Sequence, residues 1–197
     1  MNIVIKYFLN MFSYAVIGLP FALLWRKMRK KTYLKKGIET TKEHETVSVL
    51  FFMYLVALLS QTVIPKIKLS GGEIIFFQSG YNEINLIPFK EIELAVRLGG
   101  SFFLVNIIGN IIVFMPIAVF IGLLYNKPSF CKCVFITTAV SVFVEVCQIP
   151  QNRGTDIDDV ILNTIGGILG YAVLIIINKL FGQFSARCKT IKMRNEE

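Results

Sequence analysis

Five long apolar blocks constrain this chain more than any other feature. They cover approximately residues 3–25, 47–64, 102–125, 130–149 and 158–181. About 20 mostly apolar residues suffice for a helix to cross the hydrocarbon core of a bilayer. Because a spanning segment must satisfy its own backbone hydrogen bonds, each block is predicted to be an α-helix. The chain is 54% hydrophobic, above the roughly 45–50% typical of soluble domains. We therefore predict an all-α integral membrane protein with about five transmembrane helices.

The basic residues predict how these helices are oriented. Eight of the 21 Lys and Arg residues lie between positions 26 and 45, directly after the first block. Short loops rich in Lys and Arg stay on the cytoplasmic side, which places the N-terminus outside and the C-terminus inside. This topology accounts for the net charge of +8, and no basic soluble domain is present, so nucleic acid is not a predicted partner. His44, alone in the basic loop, is predicted to be solvated.

The spacing of the blocks divides the chain into three parts. Residues 1–46 hold the first transmembrane helix and a basic cytoplasmic loop, residues 47–181 form the membrane domain, and residues 182–197 form a basic cytoplasmic tail. The first block continues into Trp25-Arg26 without a cleavage site, which indicates a retained helix and not a signal peptide. Between the second and third spans, glycine turn signals flank the segment EIIFFQ and predict a short extracytoplasmic β-hairpin-like loop.

Polar side chains recur at one depth in three of the predicted spans. One group lies about one to two turns below the outer surface: Asn106, Asn110, Glu145, Gln148 and Asn163. A second group lies just above it, in the loop before the last span: Arg153, Asp156, Asp158 and Asp159. A carboxylate inside a span costs on the order of 2–3 kcal/mol, so it usually faces a partner or a water-filled cavity. Several such groups at one level predict an outward-facing polar pocket.

A structural interpretation of the same residues stays open. Thr155, Asp156 or Asp158 can cap the fifth span, since carboxylates favour a helix N-terminus. Arg153 can pair with Glu145 or an aspartate, and the two span-three asparagines can hydrogen-bond between helices. Gly166 and Gly170 form a GxxxG motif that predicts close helix packing, either within the chain or across a dimer.

Taken together, these motifs resemble the VanZ-like family of bacterial membrane proteins. The resemblance rests on Asn85-Leu-Ile-Pro-Phe89, on the asparagine-rich third span from Asn106 to Pro116, and on a closing pattern from Glu145 to the glycines after Asn163. It implies a multi-pass protein of the bacterial cytoplasmic membrane and adds Asn85 to the predicted pocket. The founding member of the family is associated with teicoplanin resistance, so the resemblance also implies a role at the cell envelope and in antibiotic resistance.

Three functional hypotheses fit these residues. The first is a non-catalytic protein whose pocket binds a lipid-linked cell-wall precursor or a glycopeptide, with Arg153 contacting phosphate or carboxylate. The second is an enzyme acting on an outer-leaflet lipid, with Glu145 as candidate general base and Asp156, Asp158 and Asp159 as weak candidates for holding Mg²⁺. The third is a structural or assembly partner in the envelope. In all three the lipid bilayer is a partner, and the sequence leaves the ligand and the oligomeric state open.

Overall fold

The computed structural model describes residues 3–63, 66–70, 73–77, 84–149 and 154–192. In chain order the helices are α1 (Ile3–Lys35), α2 (Lys42–Thr62), α3 (Lys90–Leu98), α4 (Gly100–Phe103), a π-helix (Leu104–Gly109), α5 (Asn110–Leu124), α6 (Phe130–Gln148), α7 (Ile157–Leu180) and α8 (Gly182–Arg187). The strands are β1 (Ile38–Glu39), β2 (Lys66–Ser70), β3 (Glu73–Phe77), β4 (Ile84–Asn85), β5 (Thr155–Asp156) and β6 (Ile191–Lys192).

Five helical segments are long and apolar enough to cross a membrane, which confirms the predicted number of spans in the described part of the chain. They are α1, α2, the continuous run from α4 through the π-helix to α5, α6 and α7. The all-α membrane fold is therefore established, whereas the inside–outside orientation remains a prediction.

The first helix is longer than predicted. The expected cytoplasmic loop was to begin at Arg26, but α1 continues to Lys35. Lys and Arg are good helix formers, and neither Gly nor Pro interrupts the basic segment before Gly37. Gly37 has a φ of +64°, and its N–H donates to the Leu34 carbonyl at 3.1 Å, so a left-handed glycine ends the helix.

The centre of the bundle is the close pair α5 and α7. A Cβ on Gly166 would overlap the Ile111 carbonyl oxygen, and one on Gly170 would overlap the Met115 carbonyl oxygen. The two backbones therefore touch where the GxxxG motif lies, and the partner helix belongs to the same chain. Phe114 and Ile117 of α5 are almost fully buried beside this contact. The helices α2 and α6 pack around the pair, and α1 packs on the outside against α2.

At one end of the bundle the C-terminal segment returns to the basic loop. Strand β6 pairs antiparallel with β1, and the Thr41 hydroxyl donates to the Arg187 carbonyl. The prediction of a solvated His44 is wrong, because His44 is 2% exposed and its Nδ1 lies 2.7 Å from the Cys188 carbonyl oxygen. The contact joins residues 144 positions apart, so no local pattern reveals it.

Short strands occupy the connection between the second and third spans. Strands β2 and β3 pair antiparallel from Lys66 opposite Phe77 to Ser70 opposite Glu73. Strand β4 instead pairs in parallel with β5, just before α7. The helix α3 that follows was not predicted, because its nine residues mix charged and apolar side chains and read as part of a loop.

Candidate functional site

The site lies where residues 84–98, here called the strap, cross the start of α7. Strap strand β4 places Asn85 opposite Asp156 of β5. The Asn85 side-chain amide donates to Asp156 Oδ1 at 3.1 Å, and its oxygen accepts the Ile87 N–H at 3.2 Å. One asparagine thus pairs with the loop before α7 and also folds the chain into the turn that leads to α3.

Asp158 fixes the next part of the strap by capping a helix other than its own. Its Oδ1 accepts the Phe89 N–H at 2.5 Å, and its Oδ2 accepts the N–H groups of Glu91 and Ile92 at 2.9 and 3.1 Å. Phe89 precedes α3, has a left-handed φ of 68° and offers no capping side chain. The 1% exposed Asp158 carboxylate therefore supplies the acceptors and the negative charge that the N-terminus of α3 needs.

Asp156 and Glu145 hold the start of α7. Asp156 Oδ1 accepts the Asp158 N–H at 2.9 Å and so caps α7. The Asp156 N–H donates to Glu145 Oε2 at 3.0 Å, which joins the end of α6 to the start of α7. Burial raises the pKa of the Asp156 carboxyl above its usual range, and the nearby Asp158 charge adds to this. The hydrogen bond from the Asp158 N–H opposes that shift without cancelling it.

The two asparagines of the third span have different partners. Asn110 Nδ2 donates to Asp159 Oδ1 at 2.5 Å and to the Asn106 carbonyl at 3.0 Å. Asn106 lies in the π-helix, a geometry often found at functional sites. Its amide donates to the Phe102 carbonyl at 2.8 Å, and the residue is exposed. Asn110 thus makes a half-buried contact between span three and α7, whereas Asn106 is exposed on the surface of the bundle.

The two remaining predicted amides are buried, and each binds a neighbouring helix. Asn163 Nδ2 donates to Ser141 Oγ at 2.8 Å, joining α7 to α6. Gln148 Nε2 donates to the Thr62 carbonyl at 3.0 Å, joining α6 to the end of α2. Sequence reasoning missed Ser141 and Thr62, although Ser141 lies one turn before Glu145 in an apolar helix and so carries a recognisable signal.

The described carboxylates point to different partners. Glu145 and Asp156 accept from the α7 start, Asp158 accepts from α3, and Asp159 accepts from span three. In the part of the chain that the structure describes, no group of three or more His, Cys, Asp or Glu side chains is arranged to hold a metal ion. Arg153, the predicted anion-binding residue, lies outside the described residues.

A comparison with known protein families finds a match, and it covers most of the chain. A family model described as VanZ/LLP1 matches residues 46–178, which is more than half of the chain. The chain belongs to the VanZ/LLP1 family. No curated protein and no solved structure matches it. The matched region includes every described polar residue of the site and leaves out α1. With five apolar helices and this membership, the VanZ/LLP1 chain is a multi-pass bacterial membrane protein.

Proposed function

We propose that this VanZ/LLP1-family protein binds a polar envelope component at the outer face of the cytoplasmic membrane and thereby lowers susceptibility to teicoplanin-type glycopeptides. The observation that carries the proposal is the Asp158 cap, in which a carboxylate at the start of one span holds three backbone N–H groups of the strap. Such a long-range cap fixes the strap against the π-helix that carries the exposed Asn106, as a preorganised binding surface requires.

The residues divide into two roles under this proposal. Asp156, Asp158 and Glu145 are positioning residues, since their oxygens accept backbone N–H groups of the protein itself. Asn106 and Arg153 are the ligand contacts, because an exposed amide and a guanidinium can bind the phosphate or carboxylate of a cell-wall precursor or glycopeptide.

The geometry favours binding over catalysis. A general base must come within hydrogen-bond reach of the proton that it removes. Glu145 is only 5% exposed, and its Oε2 accepts the Asp156 N–H. A positioning role therefore fits Glu145 better than the role of a base.

The test is glycopeptide susceptibility in a susceptible Gram-positive host, with teicoplanin measured beside vancomycin. The host expresses wild type, Asp158→Ala, Arg153→Ala or the control Glu39→Gln, an exposed acid near the opposite end of the bundle. We expect wild type and the control to protect against teicoplanin, and the two site variants to lose protection at equal membrane abundance. Equal protection by all four proteins would show that Asp158 and Arg153 are not needed for protection. No protection by any of them would rule out a function against glycopeptides.

A further inference from the structure

The strap exposes more apolar side chain than a water-facing loop normally does. Leu86, Ile87 and Phe89 are 70%, 65% and 61% exposed, and Leu94 and Leu98 of α3 are exposed as well. All five belong to one continuous segment of the chain. Contiguous apolar surface of this kind marks an interaction site in a folded protein.

Both ends of α3 are fixed at the level where two spans begin. Its N-terminus is held by Asp158, the second residue of α7. Its C-terminus leads through Gly99 and Gly100, with φ values of 60° and 53°, directly into the third span. A nine-residue helix is about 14 Å long, enough to cross from one helix axis to a neighbouring one. The helix therefore lies across the ends of two spans, at the depth of a membrane boundary.

The side chains of α3 form three separate faces. Ala95 and Ile92 pack inward against Leu162 and Ile107 of the bundle. Lys90, Glu93 and Arg97 form a charged face, with Arg97 Nη2 2.5 Å from Glu93 Oε1. Leu94 and Leu98 form an exposed apolar face on one side of the charged one, and the exposed Val96 lies at its other edge. A charged face beside an exposed apolar one is the pattern of a helix that lies in the bilayer interface.

We infer that the strap inserts into the lipid leaflet at this end of the bundle and that the acyl chains of phospholipids cover Leu86, Ile87, Phe89, Leu94 and Leu98. The partner is lipid because the apolar surface continues onto the exposed side chains of the third span: Phe102, Leu104 and Val105. Lys90 and Arg97 then extend toward the headgroups while their stems stay in the apolar layer. This surface requires no glycopeptide or precursor, so it stands independently of the proposed function.

The experiment uses tryptophan fluorescence in vesicles of phosphatidylcholine brominated at shallow or deep acyl positions. Trp25 is the single tryptophan of the chain, so Phe89→Trp and the control Arg97→Trp are each placed in a Trp25→Phe background. Folding is checked by monodisperse elution and helical circular dichroism. We expect shallow bromines to quench the tryptophan at position 89 about twofold more than the one at position 97, because the side chain at 89 lies among acyl chains and the side chain at 97 extends toward the headgroups.

Equal quenching at the two positions would overturn the inference. So would a tryptophan at position 89 that neither bromolipid nor aqueous acrylamide quenches, since a second protein would then cover the surface. If Trp25→Phe prevents folding, the same comparison is made with Trp25 retained. The wild-type quenching is then subtracted from that of each variant, and the differences for positions 89 and 97 are compared.

Discussion

The two ends of the helix bundle bury carboxylates in different ways. At the acidic end, formed by Glu145, Asp156, Asp158 and Asp159, the oxygens accept N–H groups of backbone and asparagine. At the basic end, Glu45 is 2% exposed and lies between two guanidinium groups. Its Oε2 is 3.1 Å from Arg26 Nε, and its Oε1 is 3.3 Å from Arg29 Nη2.

This difference separates two functions of a buried charge. The Arg–Glu contacts neutralise charge and attach the peripheral α1 to α2, while Arg29 also stacks over the Trp25 ring at 4.5 Å. The contacts of Asp158 are instead directed to backbone N–H groups of the strap, and its negative charge orients a helix. The basic end is therefore built to anchor, and the acidic end is built to position the strap.

The largest effect is expected when the anchor is broken. Glu45→Ala leaves Arg29, whose side chain is 12% exposed, without its carboxylate partner. Removing one member of a buried pair costs about 3–5 kcal/mol, and the half-exposed Arg26 moves the expectation toward the lower figure. Thermal unfolding in detergent should show a large loss of stability. Glu93→Ala, which removes an exposed pair on α3, is the control and should cost little. Similar losses of stability for both variants would show that the Glu45 ion pairs do not anchor α1 to α2.

A change in the scaffold between the ends should weaken both of them. Gly170→Ala places a methyl group against the Met115 carbonyl oxygen and forces α5 and α7 apart. Overpacking of this kind costs about 1–3 kcal/mol. The control is Gly182→Ala, since nothing lies within 4 Å of a Cβ there. Chemical unfolding should separate the two variants, and equal stability would mean that α5 and α7 tolerate a wider spacing.

Removing the strap cap should have a smaller and local effect. Asp158→Ala deletes the acceptor for three N–H groups of the strap, and loss of an N-cap costs about 0.5–2 kcal/mol. Hydrogen exchange should rise in residues 84–98 and remain unchanged in residues 26–45. Asp158→Asn keeps one acceptor oxygen and should lie between wild type and the alanine variant. Faster exchange at both ends of the bundle would contradict separate functions for the two ends.

The smallest effect is expected at the surface of the basic end. Arg187 Nη1 lies 3.2 Å from Glu43 Oε1, with side chains 65% and 29% exposed. Solvent and salt screen such a pair, so Arg187→Ala should barely change the melting temperature, and 0.5 M salt should abolish any difference. A salt-resistant loss as large as that of Glu45→Ala would assign the anchoring function to the C-terminal segment.

The apolar blocks predicted the spans because a bilayer imposes length and composition on each helix separately. The block at 130–149 and helix α6 agree closely, as do the block at 158–181 and α7. The end of α1 was missed since hydropathy marks where the apolar residues stop and not where the helix stops. In the basic segment, helix-forming Lys and Arg extend α1 for about ten residues beyond the apolar block.

The site could be predicted only as a set of residues. Sequence spacing placed Glu145, Asp158 and Asn110 near one level, but it did not reveal which group each would bind. Asp158 caps α3 from 66–69 residues away, and Gln148 binds a carbonyl 86 residues earlier. Contacts of this range depend on the packing of the helices and leave no local pattern. His44 was misjudged for the same reason.

The proposed function requires the acidic end to face the outside of the cell, and thiol labelling of intact cells tests this orientation. Cys131 is exposed and Cys147 is half-buried, so both are replaced by serine before a single cysteine is introduced. Lys90→Cys reports on the acidic end and Lys36→Cys on the basic end, both at exposed positions. A membrane-impermeant maleimide should label position 90 in intact cells and position 36 only after lysis. Labelling of position 36 in intact cells, with position 90 protected until lysis, would contradict the account.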